Sequence, residues 1–239
     1  MAAGLGPAPA IVVLEPDALP HAAELPGDAR AGRLALLRLA ADTLPARPGA
    51  RVYVDAGNPG WLTPEAAAGL LAAAGVGAPG SAVRGFSVNV SNFVRTDRCV
   101  EWGQAVLAAL RAGGAVRTVG FVVDTSRNGN GRWTPGLAEP GAHETRCNPP
   151  GRALGLDPRL RPGPEGVDAY LWIKRPGESD GPCRGGPPAG AWWPDYALEL
   201  VRNRGNEAGH QPSRGPPIRI SMISRATARS EVAKPRQVA

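Results

Sequence analysis

The 239 residues carry 27 Lys or Arg against 21 Asp or Glu, a formal net charge of +6. From Arg202 to Ala239, eight basic residues face only Glu207 and Glu231, so the whole excess lies in the tail and the near-neutral body argues against a phosphate-tracking groove. No stretch approaches the roughly 20 apolar residues of a membrane span, so neither nucleic acid nor a membrane is an expected partner.

In chain order, short Val-rich apolar runs alternate with helical patterns. Strands are expected at Ile11–Leu14, Val52–Val54, Val83–Val90, Thr118–Val123 and Ala169–Ile173. Helices are expected at about 32–44, at 63–74 with Thr63-Pro64-Glu65 as its start signal, at 99–112 and at 193–203. This alternation predicts an α/β fold with a parallel sheet, whose active residues gather at the carboxyl ends of the strands. Those ends read Glu15/Asp17, Asp55/Asn58, Asn89/Asn92, Asp124/Arg127/Asn128 and Lys174/Glu178/Asp180. Five strands are too few to close a barrel, so either the sheet stays open or N-terminal strands are missing.

No linker divides the first 200 residues, which predicts one domain over 1–203. The segment Asn128–Val167 is rich in Gly, Pro and Arg with little periodicity, as in a lid or a disordered loop. The segment 204–239 turns to Arg, Pro, Ser and Gln without an apolar face and is expected to be disordered. Cys99, Cys147 and Cys183 have no metal-ligand spacing, and Cys147 and Cys183 lie in loops that could meet as a disulfide, leaving Cys99 free. The N-terminus has neither a basic n-region nor an adequate apolar h-region, so no signal peptide is expected.

Six motifs follow one another: Glu15-Pro16-Asp17; Asp55-Ala56-Gly57-Asn58-Pro59-Gly60-Trp61; Ser87-Val88-Asn89-Val90-Ser91-Asn92; Asp124-Thr125-Ser126-Arg127-Asn128-Gly129; Cys147-Asn148-Pro149-Pro150-Gly151; and Lys174-Arg175-Pro176-Gly177-Glu178-Ser179-Asp180-Gly181. In this order they resemble glycoside hydrolase family 6, endoglucanases and cellobiohydrolases that cut β-1,4-glucans with inversion. The resemblance runs from about Ile11 to Asn203. It implies an incomplete, distorted (β/α) barrel of parallel strands, TIM-barrel-like, acting outside the cell as a monomer on β-glucan or cello-oligosaccharide without a cofactor. By motif, Asp17 is the implied general acid, Asp180 the candidate base and Asp55 the third active-site carboxylate. Asn58, Trp61, Asn92, Lys174 and Glu178 match sugar-binding positions, and Cys147 and Cys183 match a family disulfide.

Each residue also has a plainer reading. Asp17 after Pro16 could cap a helix, Asp55 before Ala-Gly could belong to a turn, Trp61 could be packing, and Asn89 or Asn128 could satisfy backbone groups at strand ends. The chain also departs from the family pattern. The Arg-Asp-Cys motif that precedes Glu-Pro-Asp has no counterpart, Arg146 stands where a Trp normally precedes Cys-Asn, and Asn58 stands where many members have His. These departures imply a chain that lacks its first strands and one sugar-stacking platform. A carbohydrate-binding remnant without turnover is the alternative reading.

Overall fold

The computed structural model describes residues 9–44, 49–135, 146–204 and 220–223. In chain order these form β1 (Ala10–Leu14), α1 (Ala18–Ala22), α2 (Gly27–Thr43), β2 (Ala50–Asp55), α3 (Pro64–Ala73), β3 (Gly85–Val88), α4 (Thr96–Ala112), β4 (Gly120–Asp124), β5 (Arg159–Leu160), β6 (Val167–Leu171), α5 (Pro194–Arg202) and β7 (Ile220–Ile223). One seven-stranded sheet runs in the order β5-β6-β4-β3-β2-β1-β7. All neighbours are parallel except the β5–β6 pair. The fold is α/β, an incomplete barrel whose described sheet is open at β5 and β7.

The five expected strands and four expected helices all form, with ends shifted by a few residues. The largest shift is in α2, which begins at Gly27 directly after Pro26. Thr63 does cap α3, accepting a hydrogen bond from the Ala66 N–H at 3.2 Å, with Pro64 in the first turn. The five-residue α1 was not foreseen, because a short helix containing Pro20 has no periodicity to read. Its end is held by Arg30 of α2, which donates to the carbonyls of Ala22 and Ala23 at 3.0 and 2.7 Å.

Two expectations need correction. The strand count rises from five to seven, since β5 is a two-residue exposed edge and β7 is four residues inside a polar tail. The expectation of disorder over 204–239 fails at β7, whose backbone pairs with Ile11–Leu14 of β1; the remainder of the tail beyond Arg204 lies outside the described residues. Within Asn128–Val167, residues 136–145 likewise lie outside them.

Alternation along the strands sorts the core into two layers. Val12, Leu14, Val52, Val54, Phe86, Val88, Phe121 and Val123 pack with Leu37, Leu71, Val106 and Leu110 of the helices. Val13, Tyr53, Val122, Ala169 and Leu171 form a second cluster on the opposite face. By the same period of two, Asp55, Ser87 and Asp124 share the second face at the carboxyl ends of their strands. The helix α4 lies close to β4 because Gly103 faces the Phe121 ring, where a Cβ would come within 2.5 Å. At the opposite strand ends, Asp168 accepts from Tyr53 Oη at 3.0 Å and pairs with Arg84 at 2.5 Å.

Candidate active site

Polar groups at the strand ends meet in two clusters and a pocket. Behind β1 the chain turns sharply, with Glu15 at φ 45° and Asp17 at φ 69°, both in the left-handed region unusual for residues with a Cβ. Asn89 and Ser91 after β3 and Asn148 in the disulfide loop adopt positive φ as well. The Asp17 turn aims its N–H at Asp55 Oδ2, 2.8 Å away, while Ser87 Oγ donates to Asp55 Oδ1 at 2.9 Å. This brings Asp17, in the turn after β1, beside Asp55 at the end of β2, near enough for the charge of Asp17 to act on the Asp55 carboxyl.

Their environments differ. Asp55 is fully buried, and burial pushes its pKa up to about 7, with the charge of Asp17 adding to the rise and the donated hydrogen bonds opposing it. Asp17 is exposed on the rim. Surrounding protein still displaces enough water to raise its pKa, against the lowering charges of His21 and Arg146. A carboxyl that holds its proton above the ordinary range and faces open solvent can donate to an incoming oxygen; one buried beneath it can tune that proton.

Linkage gives Asp55 a definite sign. Below about pH 4 both folded and unfolded chains hold the proton, and the site costs nothing. Between there and the folded pKa of about 7 the unfolded chain ionises first, so stability falls as pH rises. Asp55→Asn removes this group, so its melting temperature is expected to rise relative to the original chain across that window and to stay level above it. Thermal melts of both chains at stepped pH provide the check, and parallel curves would refute the raised pKa.

The second cluster surrounds Asp180. Arg127, 2% exposed, donates to Asp180 Oδ2 at 2.8 Å, the Asn148 N–H donates to the same oxygen at 3.1 Å, and Lys174 Nζ lies 3.5 Å from Oδ1. Asn148 also accepts from the Asp180 N–H at 2.8 Å, locking that loop. The Cys147–Cys183 disulfide, with a Cα–Cα distance of 6.2 Å, ties the two loops together, and Cys99, as expected, is free; it is also buried. Lys174 lies 4.0 Å from Glu178, which also pairs with Arg175.

Asp124 anchors the floor between these loops. It accepts backbone N–H groups from Ser91, Ser126, Ile173 and Lys174 at 2.8, 2.9, 3.3 and 3.1 Å, although burial still pushes its pKa up. Asn89 and Asn128 turn inward. Asn89 joins Val94 and Asp124 backbone groups, and Asn128 donates to the Val94 carbonyl at 2.9 Å, so both serve the scaffold.

The expected sugar contacts Asn58, Trp61 and Asn92 meet in a pocket of roughly 130 Å³ that Arg132, Trp133 and Arg146 complete. Asn58 accepts from Arg132 at 2.5 Å and from the Gly60 N–H at 3.1 Å. Trp61 is half-buried, with His21 edge-on at 4.7 Å, and Asn92 accepts from the Phe93 N–H. Sequence reading gave no role to Ser87, which it quoted only inside a motif, and passed over Arg132 and Trp133. Ser87 could have been found as the one polar residue inside an apolar strand, whereas Arg132 and Trp133 sit in a Gly-rich stretch with no pattern to mark them.

A model of the glycosyl hydrolases family 6 matches residues 1–204. The chain is 46% identical over 201 residues to endoglucanase 1 of Streptomyces sp. strain KSM-9, covering 84% of this chain and 50% of that protein. It is 42% identical to endoglucanase A of Cellulomonas fimi, covering 81% and 38%. Among solved structures, the endoglucanase Cel6 from Mycobacterium tuberculosis, in complex with methyl-cellobiosyl-4-deoxy-4-thio-β-D-cellobioside, is similar with a TM-score of 0.72 at 47% identity, over 84% of this chain and 64% of that one. The chain thus spans about half the length, or less, of these curated relatives.

Proposed function

From the premise that the chain belongs to glycosyl hydrolase family 6, we propose that it carries the catalytic half of an inverting hydrolase of β-1,4-glucosidic bonds in cellulose or a related β-glucan. The observation that carries this reading is the Asp17–Asp55 contact, which pairs an exposed carboxyl of raised pKa with a buried one. Asp17 gives its proton to the leaving glycosidic oxygen. Asp180, held by Arg127, Asn148 and Lys174, takes a proton from the attacking water, directly or through further water, as that water adds to the opposite face of the sugar. The products are a new reducing end of inverted configuration and a free hydroxyl, and Asp55 holds the Asp17 turn in place through its backbone N–H. Inversion requires the acid and the base to stand roughly 6.5–9.5 Å apart, with the water between base and sugar.

Trp61 and Trp133 offer ring faces to a glucosyl unit, Asn58 and Asn92 bind hydroxyls, and Lys174 with Glu178 brackets the next ring. The same reading places the protein outside the cytoplasm, in keeping with the Cys147–Cys183 disulfide. Among the described residues, no helix is long and apolar enough to cross a membrane.

Incubating the purified chain with a soluble β-1,4-glucan and following the anomeric protons by NMR tests the proposal. Reducing ends that appear first as the α anomer support it; β-first ends would refute inversion. A second reading, glucan binding without turnover, is favoured by Arg146, whose charge pulls Asp17 toward its ionised form. Binding of cello-oligosaccharide with no released ends would select it.

A further inference from the structure

Among the described residues, Trp192 is the one Trp, Tyr or Phe side chain that stands in solvent, 60% exposed. Its place is fixed by backbone and side chain alike. The backbone pairs with Glu178 in an isolated antiparallel bridge. Around that bridge the Ser179 N–H donates to the Ala191 carbonyl at 3.0 Å, the Gly190 N–H to the Ser179 carbonyl at 2.9 Å and the Trp193 N–H to the Gly177 carbonyl at 2.8 Å. The indole lies over Gly177, where a Cβ would come within 2.5 Å of the ring and 2.7 Å of the Ala197 Cβ. A glycine at φ 97° thus leaves room for the ring against the first turn of α5.

The same ribbon decides what the ring stands beside. Residues directly opposite in an antiparallel pair project from one face, so Trp192 leaves the ribbon next to Glu178. The Glu178 carboxylate pairs with Arg175 and lies 4.0 Å from Lys174 Nζ, which in turn lies 3.5 Å from Asp180. The row Asp180, Lys174, Glu178, Trp192 therefore leads outward from the implied base, through largely buried charged groups, to an exposed ring. A pyranose can lay its C–H face on such an indole while its hydroxyls stay in water. The exposed Arg175 guanidinium supplies hydrogen-bond donors at the same place.

We infer that Trp192 is the stacking platform of an outer subsite, which takes the glucosyl unit following the one bracketed by Lys174 and Glu178. The chain then favours long β-1,4-glucans over short ones. The inference rests on the proposed reading of the cleft as a glucan site and adds a preference for chain length to it. The occupant is the glucan because the ring continues the row of groups that reading already assigns to sugar. The exposed Leu198 and Val201 of α5 offer a second copy of the chain as the rival occupant.

Calorimetric titration of the original chain, Trp192→Ala and Trp192→Phe with cellotriose and with cellohexaose provides the test. Trp192→Ala is expected to weaken cellohexaose binding on the order of tenfold, the scale of one well-formed aromatic contact, and cellotriose binding by less than about twofold. Trp192→Phe keeps a smaller ring face and should fall between. The ring is exposed, so the three chains should melt close together, which separates lost affinity from lost folding. Equal losses for the two ligands, or none for either, overturn the outer subsite and leave the glucan reading standing. No binding of either ligand by the original chain overturns both. Sedimentation of the same proteins addresses the rival: a dimer that Trp192→Ala dissociates, with both affinities unchanged, assigns the ring to an interface between copies and overturns the subsite.

Discussion

Asp17→Asn is expected to lower the rate of glucan hydrolysis by about 10²- to 10⁴-fold, the span of general acid catalysis, while leaving the oligosaccharide's dissociation constant within a factor of about three. The separation follows from geometry. What fixes the turn at Asp17 is its backbone N–H bonded to Asp55, and the amide side chain of Asn leaves that bond in place while removing the transferable proton. The exposure of Asp17 means its loss opens no cavity, so stability should hardly change. Rates measured on a soluble glucan beside calorimetric binding provide the check. A loss below tenfold would remove Asp17 from the role of acid and shift attention to Asp55, whose pKa burial pushes up to about 7.

Arg127→Ala should be the most destabilising single change in the site, by about 3–5 kcal/mol, because deleting one partner of a buried ion pair leaves the other charge without compensation. Arg127 is 2% exposed and bonds both Asp180 at 2.8 Å and the Ser91 carbonyl at 2.5 Å, and its guanidinium stacks on the Phe93 ring at 4.4 Å. Removing it also empties the space of one of the largest fully buried side chains. For a domain of this size the melting temperature should fall by roughly 2–4 °C for each kcal/mol lost. Urea denaturation separates this from any catalytic effect. A change under 1 kcal/mol would mean that Asp180 finds other partners, with Lys174 at 3.5 Å the first candidate. In that event the loop between Lys174 and Asp180 would be less fixed than its contacts imply.

The two predictions divide the site by what holds it. Asp17 stands on the rim and is exchangeable in terms of stability, whereas Arg127 is built into the floor beneath the implied base. Asp55 lies between these extremes. It is buried like Arg127, yet its proton is the property that matters, which is why its effect appears as a dependence on pH.

The elements that sequence alone determined are those whose signal is local. Apolar runs such as Val52–Val54 have to be buried, and the Thr63-Pro64-Glu65 start satisfies its own helix terminus, so neither depends on the rest of the chain. The same locality put Asp55 and Asp124 at the last positions of their strands and Asp17 and Asp180 on the loops beyond, because parallel strands must return by way of a helix and leave their carboxyl ends at one rim. The ordered motifs carried the family, since their combination does not require knowing which atoms touch. What sequence left open depends on contacts between residues far apart in the chain. Asn89 and Asn128 were legible only as polar groups at strand ends, and only the folded loops, which aim both amides at Val94, tied them to the backbone. β7 was invisible because four residues pair with β1 only once that edge exists. The left-handed turn at Asp17 is strained in isolation and is held by the carboxylate of Asp55, 38 residues away. The meeting of Arg132 and Arg146 at one pocket was equally hidden, since charges separated in sequence acquire a shared potential only when the tertiary structure brings them together.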